Sequence, residues 1–448
     1  MARAGQMHIG IFANIAGNHV AGWRIPGAFT SSEDFPAILT VVRDAERHKL
    51  DFVFFADGPV SRLDGHPGFM LNLEPTALLG ALAATTSRIG LVATVSSTFT
   101  EPYNLARAIA SVDQISGGRV AWNLVTTSDP AVALNFGRDL PPHDLRYTIA
   151  TEYIEVVQGL WDSWEAGARI ADKSSGAYYD ADKVHVLGHE GEYFKVLGPM
   201  GVSRSPQGQP VVVQAGSSPA GQQFAARFAE VVFTIQQDLD DARSFYRTLK
   251  SLMLQNGRTP EQCCVLPGLF PVVGATSEEA RSKLAQLAAF VKPGSALGIM
   301  SQRFGDDMSK YPMDGPMPDL SHTDGTRGYT SVLYKKAQRE GLTLREVHDI
   351  MALSRGYLLI VGTPDTVADT MEEWYQAEAC DGFVVLPAHF PDALTDFNEL
   401  VIPELQRRRL FRQDYAGTTL RSHLGLADPV NKYTSDKQRT LAIESTLP

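Results

Sequence analysis

Cysteine is scarce in this chain: Cys263, Cys264 and Cys380 are the whole set. An odd count with two members adjacent cannot staple a disulfide framework, because neighbouring cysteines close a bridge only with strain. A reducing, cytoplasmic setting is the expectation. Excess positive charge is also missing. Lys and Arg number 40 against 51 Asp and Glu, giving a net charge of −11, and no dense Lys/Arg block offsets it, so neither nucleic acid nor an anionic membrane is expected as partner. No apolar run approaches the roughly 18 residues of a membrane helix. The opening MARAGQMHIGIF lacks the charged region, long apolar region and small-residue cleavage site of an export signal. The histidines, 11 in all, are scattered without an H-x-H or HExxH pattern, which disfavours a zinc hydrolase and predicts no metal site. No apolar strand leads into a Gly-x-Gly-x-x-Gly turn, so no built-in nicotinamide site is expected.

What the chain does contain is rhythm. Short β-rich runs alternate with amphipathic helical stretches: MHIGIFA, DFVFFAD, RIGLVATVSS and RVAWNLVTT in the first half, then PVVVQAG, AEVVFTIQ, CCVLPGLFPVVG and DGFVVLPAHF. Strands this continuously apolar are covered on both faces, as parallel strands are. With eight of them, closure into a (β/α)8 TIM barrel is the economical solution, since closure removes the edges an open sheet would leave. Two stretches interrupt the series. Residues 168–210 are rich in Gly, Asp and Lys and include KVHVLGHEGEYFKVLG, which alternates like a short exposed hairpin. Residues 291–362 carry YPMDGPMPDL and a helix near LREVHDIMAL. Both read as excursions from one barrel domain spanning 1–448, with a C-terminal extension over 410–448.

A barrel exposes its chemistry at the C-terminal ends of its strands. Those ends offer Phe12 and Asn14, Asp57, Thr94 and Ser96, Asn123 with Thr126 and Thr127, Gln214, Phe233 and Gln236, and His389. Amides and hydroxyls dominate. Such a set hydrogen-bonds a flat heteroaromatic with mixed donors and acceptors and is poor in the paired acids of hydrolysis. In QAGSSPAGQQFAARFA, Gly216, Ser217, Ser218 and Gly221 stand at a helix start, which suits a phosphate and equally suits ordinary helix capping. His143 and Tyr147 flank Asp144, a good N-cap, and would share one face of a first helical turn. They can hold a phosphate, or be a surface histidine over a packed tyrosine. His389 can serve as acid or base, or be a packed structural histidine.

Together these motifs resemble the nitrilotriacetate and dibenzothiophene sulfone monooxygenase branch of the bacterial luciferase-like flavin monooxygenases. The resemblance runs through FFADG, SGGRVAWNLVTT, NFG, HDLRY, LWDSW, GEYFKVLGP, SRSPQGQPVVVQAGSSPAG, YPMDGP, VGTPDTVAD and LFRQDYAGTTLRSHLGL, in one order over nearly the whole chain. It implies a barrel that binds reduced FMN (FMNH2) supplied by a separate NAD(P)H:flavin reductase. It implies use of O2 to oxygenate a small organic substrate through a flavin peroxide: an aromatic, sulfur heterocycle, chelating amine or halogenated compound. By motif, Asp57, Thr94 and Asn123 would meet the flavin ring, and His143, Tyr147 and Ser218 its ribityl and phosphate end. His19, Trp23 and Arg24 lie in the loop that borders the substrate pocket in this family, although Trp and Arg can also stack on each other. Phe12, Trp23 and Phe233 are the pocket candidates, and His19 and His389 the candidate catalytic groups. A homodimer or homotetramer is implied, with the tail after Arg408 lying across a neighbouring subunit. Other readings of the fold are a deazaflavin-dependent oxidoreductase and a non-catalytic flavin-binding subunit. Two features depart from the family pattern. Leu134 stands where many relatives carry Arg, and the loop SRLDGHPGFMLNLEP is shorter than in sulfone-oxidising members, which implies a different substrate. Met300, Phe304 and Met308 in the second insertion suit either a lid or a packed barrel cover.

Overall fold

The computed structural model describes residues 3, 5–61, 65–292, 294–320, 323 and 331–434. The strands are β1 (His8–Phe12), β2 (Phe52–Phe55), β3 (Gly90–Ser96), β4 (Val120–Val125), β5 (His189–Glu190), β6 (Lys195–Val196), β7 (Val211–Gln214), β8 (Val231–Thr234), β9 (Cys264–Val273), β10 (Leu358–Gly362) and β11 (Gly382–Val385). Eight of these form a closed parallel barrel in the order β1-β2-β3-β4-β7-β8-β9-β11, with β11 returning to β1. All eight expected runs are present. The small antiparallel pair β5–β6 stands apart from the barrel in the first insertion.

β10, at the end of the second interrupted stretch, is a ninth strand. Leu269 of β9 pairs with Val385 of β11 and with Leu358 of β10, so those two neighbours occupy opposite edges. β10 therefore continues along the edge that β8 leaves after Pro267. This lengthens one wall of the barrel on its C-terminal side and delivers Arg355 and Tyr357, which immediately precede β10, to the mouth.

Alternation along the strands divides the apolar residues into two layers. Ile9, Ile11, Val53 and Phe55 face the surrounding helices, whereas Phe12, Phe52, Phe54, Val92 and Phe233 fill the interior. Gly10 is small for a reason of space: a β-carbon there would stand 2.2 Å from the Phe52 ring. The lower end of the interior is closed by the chain's own tail. Leu420, Leu424 and Leu426 join the interior cluster, and Leu420 donates its N–H to Gly118 at the start of β4, 3.0 Å away. Arg421 clamps Glu230 through two bonds of 2.6 and 2.9 Å. Residues through 434 thus fold back beneath their own barrel, and 435–448 lie outside the described residues.

The second interrupted stretch supplies the helices Leu297–Phe304, Ser331–Glu340 and Leu344–Ser354. Their apolar faces build a separate cluster in which Met300, Phe304 and Met308 are fully buried beside Val20 and Ala21 of the loop after β1. These residues are the core of a packed cover. Residues 321–322 and 324–330 of this stretch lie outside the described residues.

Candidate functional site

Asn123 and Thr94 are paired across β4 and β3, so their side chains leave the sheet on the same face. Asn123 Nδ2 donates to Thr94 Oγ1 at 2.9 Å, while its buried Oδ1 has no hydrogen-bond partner among the described residues. A buried amide oxygen left without a donor costs about 1–3 kcal/mol. Its neighbour Trp122 points the other way and donates to Val95 O at 3.0 Å. Past the strand, Thr127 takes a positive φ of 38° and donates to Ser96 Oγ at 2.6 Å. Buried Arg146 donates to the Thr127 carbonyl and pins the turn.

The helix His143–Trp161 begins two residues earlier than the capping argument places it. Pro142 is the N-cap, and its carbonyl accepts from Arg146 N at 3.0 Å. Asp144 therefore falls inside the first turn and meets His143 Nδ1 at 2.8 Å instead of capping a backbone N–H. His143 and Tyr147 do share a face, with ring centroids 5.2 Å apart. Tyr147 reaches the start of the helix Pro219–Phe228, where Ser218 Oγ accepts from Gly221 N at 3.1 Å. A β-carbon on Gly221 would stand 3.0 Å from Tyr147 Oη, and one on Gly216 would stand 3.2 Å from it. The two glycines thus let the phenol sit against the positive helix end. Ser218 is an ordinary cap by geometry, yet its O–H remains a donor. Thr234, ending β8, gathers Gln236 Nε2 at 3.1 Å and Ser217 Oγ at 3.5 Å.

These groups surround a cavity of about 1320 Å3 lined by Leu124–Pro130, His143, Arg146, Tyr147, Gln214 and Gly216–Ser218 on the barrel side. Ser301, Gln302, Arg303 and Asp306 of the packed cover line the other side, and Gln302 Nε2 donates to Asp129 Oδ2 at 2.9 Å, joining the two. Asn123 lies one residue deeper along β4.

A second group of residues fills the adjoining part of the mouth. Phe12, Phe54 and Phe233 pack with centroids 5.4 to 5.9 Å apart, and Tyr357 stacks on Phe233 at 5.6 Å. The buried Arg355 guanidinium lies 5.0, 4.7 and 5.7 Å from the rings of Phe12, Phe69 and Tyr357, each contact being favourable for a desolvated cation. Its Nη1 donates to Asn18 Oδ1 at 3.1 Å. Three histidines gather here. His19 Nδ1 accepts from Ala21 N at 3.0 Å, and its buried Nε2 has no partner among the described residues. Burial, then neighbouring His389, lowers His19 to about 4. Burial, then Arg355, lowers His66 to about 3, and burial likewise lowers His389. All three rings are neutral near pH 7, and His19 carries its proton on Nε2. Burial, then Glu74, raises the Asp57 carboxyl to about 6.

The candidates read from sequence thus divide. His143, Tyr147 and Ser218 line one cleft, and the Asn123–Thr94 pair lies below its Leu124 edge. Phe12, Phe233, His19 and His389 collect around the aromatic group. Trp23, 42 % exposed in the turn Gly22–Arg24, joins neither, and Arg24 stacks on Phe290 at 4.5 Å, not on Trp23. Leu134 is 81 % exposed on the rim helix Pro130–Asn135. Arg355, His66 and Tyr357 were not singled out by sequence reasoning. The only signal for Arg355 was an Arg-Gly pair closing a helical run, and its φ of 56° marks that helix end.

The family model for luciferase-like monooxygenases matches residues 7–381. The chain is similar to N-acetyl-S-(2-succino)cysteine monooxygenase of Bacillus subtilis (strain 168), 44 % identical over 96 % of this chain and 98 % of the relative. It is also similar to nitrilotriacetate monooxygenase component A of Aminobacter aminovorans, 44 % identical over 95 % and 98 %. Among solved structures, a riboflavin lyase crystallised with modified FMN and its substrate riboflavin superposes with a TM-score of 0.85 at 32 % identity, covering 95 % of this chain and 97 % of that one.

Proposed function

This chain belongs to the luciferase-like monooxygenase family, and from that premise we propose that it is the oxygenase component of a two-component system. It takes reduced FMN from a separate NAD(P)H:flavin reductase and uses O2 to oxygenate a small organic molecule. The relatives support this reading through their names, one of them a monooxygenase component A and another a structure that holds modified FMN. The observation that carries it is the unpartnered, buried Asn123 Oδ1, one residue below a cleft that begins at Leu124 and reaches a glycine-relieved helix start under Tyr147.

The residues fit the cofactor. Asn123 and Thr94 present an acceptor and a hydroxyl to the edge of a flat ring, with Asp57 nearby. Tyr147 and Ser218 offer donors at the positive end of the helix Pro219–Phe228, where a phosphate is favoured, with the His143 ring beside them. Reduced FMN, when bound, supplies the electrons that activate O2 for transfer to the substrate. The chain's own contribution is binding, orientation and exclusion of water. Met300, Phe304 and Met308 stiffen the cover from within, so its polar face holds position above the cleft. Phe12, Phe233 and Tyr357 make an apolar wall for the substrate, and Arg355 adds a fixed positive charge at its rim. His19 is a neutral imidazole, and its Nε2–H offers a hydrogen bond to the reacting substrate without a change of charge.

The test is single-turnover oxygenation. With FMN photoreduced under argon and a panel of sulfur, amine, aromatic and halogenated substrates, admission of O2 should yield an oxygenated product with no NADH present. A requirement for NADH after the flavin is already reduced would overturn the reading, as would tighter binding of a reduced deazaflavin than of reduced FMN. Rapid peroxide release with every substrate would point to a flavin-binding subunit without oxygenase activity.

A further inference from the structure

The two walls of the cleft differ in how firmly they are held. On the cover side, the helix Leu297–Phe304 sinks Ile299, Met300 and Phe304 into the cluster that also takes Val20 and Ala21. Its ends are tied down too: Ala296 N donates to buried His348 Nε2 at 3.2 Å, and Met308 N donates to Ser301 Oγ at 2.9 Å. This wall is fixed from within. The opposite wall is the rim segment, residues 128–142, which joins β4 to the helix His143–Trp161. Both its ends are stiff, because Arg146 and Ser96 hold Thr127 and the ring constraints of Pro141 and Pro142 restrict the other end. Between them the support is slight. Val132 and Ala133 rest with Phe99 in a small satellite cluster apart from both layers of the barrel, Phe136 stacks on Phe99 at 4.9 Å, and residues 134–139 are exposed. Asn135 Nδ2 donates to the Pro59 carbonyl at 2.8 Å and Arg138 pairs with Glu101 at 3.7 Å. Exposed contacts of this kind each contribute little.

Asp129 stands where the two walls meet. Its Oδ1 accepts from Ala131 N at 2.9 Å and caps the short helix Pro130–Asn135, while its Oδ2 accepts from Gln302 Nε2 of the cover at 2.9 Å. One carboxylate thus starts the rim helix and ties it to the wall that is fixed. Asp129 and Gln302 both line the cavity, so their bond spans the space between rim and cover.

We propose that Gln302 is a positioning residue that latches the rim segment against the cover, and that flavin enters and leaves the cleft when this bond opens and the rim segment swings outward, a role that rests on the proposed function of the cleft. An oxygenase that takes reduced flavin from a separate protein must admit and release it, yet it must keep water out while the substrate reacts. A movable wall meets both needs. The rim is the wall that moves, because the cover has a core of its own and the rim has only its satellite cluster. A single exposed hydrogen bond to a carboxylate favours the closed position and is weak enough to break in every turnover.

Three substitutions at Gln302, an exposed position, grade the latch in the full-length protein. Gln302→Ala removes the bond, Gln302→Glu sets a second carboxylate against Asp129, and Gln302→Lys replaces the bond with an ion pair. Hydrogen exchange of the chain without added flavin reads the latch by itself. The amides of Val132, Phe136 and Arg138, each hydrogen-bonded within the rim segment, should exchange about three- to tenfold faster in Gln302→Ala, faster still in Gln302→Glu, and near the wild-type rate in Gln302→Lys. Amides of the barrel strands should not change. Stopped-flow mixing with photoreduced FMN under argon then reads the gate: association and dissociation rates should rise together by the same factors, leaving Kd nearly constant, and Gln302→Lys should restore both. Unchanged rim exchange in Gln302→Ala and Gln302→Glu would overturn the latch. Faster rim exchange with unchanged flavin rates, or a change confined to Kd, would overturn the gate. A wild-type chain that binds no reduced FMN would overturn the cofactor reading and the gate with it, an outcome told apart from failure of the latch because exchange is measured without flavin.

Discussion

Replacing Gly221 with alanine separates anchoring from folding. Gly221 is the third residue of the helix Pro219–Phe228. The added methyl would stand 3.0 Å from Tyr147 Oη, 3.2 Å from Ser218 Oγ and 3.3 Å from the Gly216 carbonyl carbon. The Gly216 backbone cannot yield, and the Ser218 hydroxyl is committed to the Gly221 N–H, so the phenol at the end of its long side chain moves. For the helix the change is favourable by about 0.5–1 kcal/mol, since alanine loses less backbone freedom than glycine. For the cofactor, displacing a hydroxyl from a phosphate-bound position loses a charge-assisted hydrogen bond of about 1.5–3 kcal/mol, or roughly 10- to 150-fold in Kd. Tyr147→Phe deletes the same hydroxyl and should lose a similar amount. Both changes act on one atom, so the double variant should bind no worse than the weaker single variant. Anaerobic fluorescence titration with photoreduced FMN measures the affinities, and thermal melts report the fold. Unchanged affinity in Gly221→Ala, or losses that add in the double variant, would refute the placement of the phosphate beneath Tyr147.

Asn123→Ala should weaken FMN binding while costing no more than about 1 kcal/mol of stability, because it removes one hydrogen bond to Thr94 together with a buried acceptor that had no partner. Urea denaturation alongside a flavin titration would show it, and a large stability loss would contradict it. Asp57 has a pKa raised from its ordinary 3.8 to about 6, so its contribution is present below pH 3.8 and is lost as pH rises through 6. Asp57→Asn should therefore gain stability relative to wild type as pH climbs from about 4 to 6, read from melts across that range; a constant difference would sink the assignment. Leu420→Ala removes a fully buried side chain from the plug under the barrel and should cost about 2–5 kcal/mol, measured in urea. A near-zero cost would mean that the tail is not part of the core.

The sequence by itself determined the barrel. Eight apolar strands in alternation with amphipathic helices have few ways to bury both faces, and their polar ends name the mouth without any coordinates. It also named Thr94 and Asn123 as polar ends of successive strands and put His143 and Tyr147 on one helical face by spacing, whereas the register that pairs Asn123 with Thr94 is read from the structure. Capping was less legible, because Pro142 takes the N-cap for which Asp144 is suited by composition. What only tertiary structure decided is everything assembled from distant segments. Arg355 meets Phe12 and Phe69 because β10 extends the edge of β9 past β8, a pairing no local periodicity encodes. Leu420 closes the barrel some 300 residues downstream of Gly118, whose carbonyl it bonds, and Arg421 reaches back to Glu230. Local patterns are written in the order of residues, whereas these contacts depend on which edges and cavities remain once the barrel has closed.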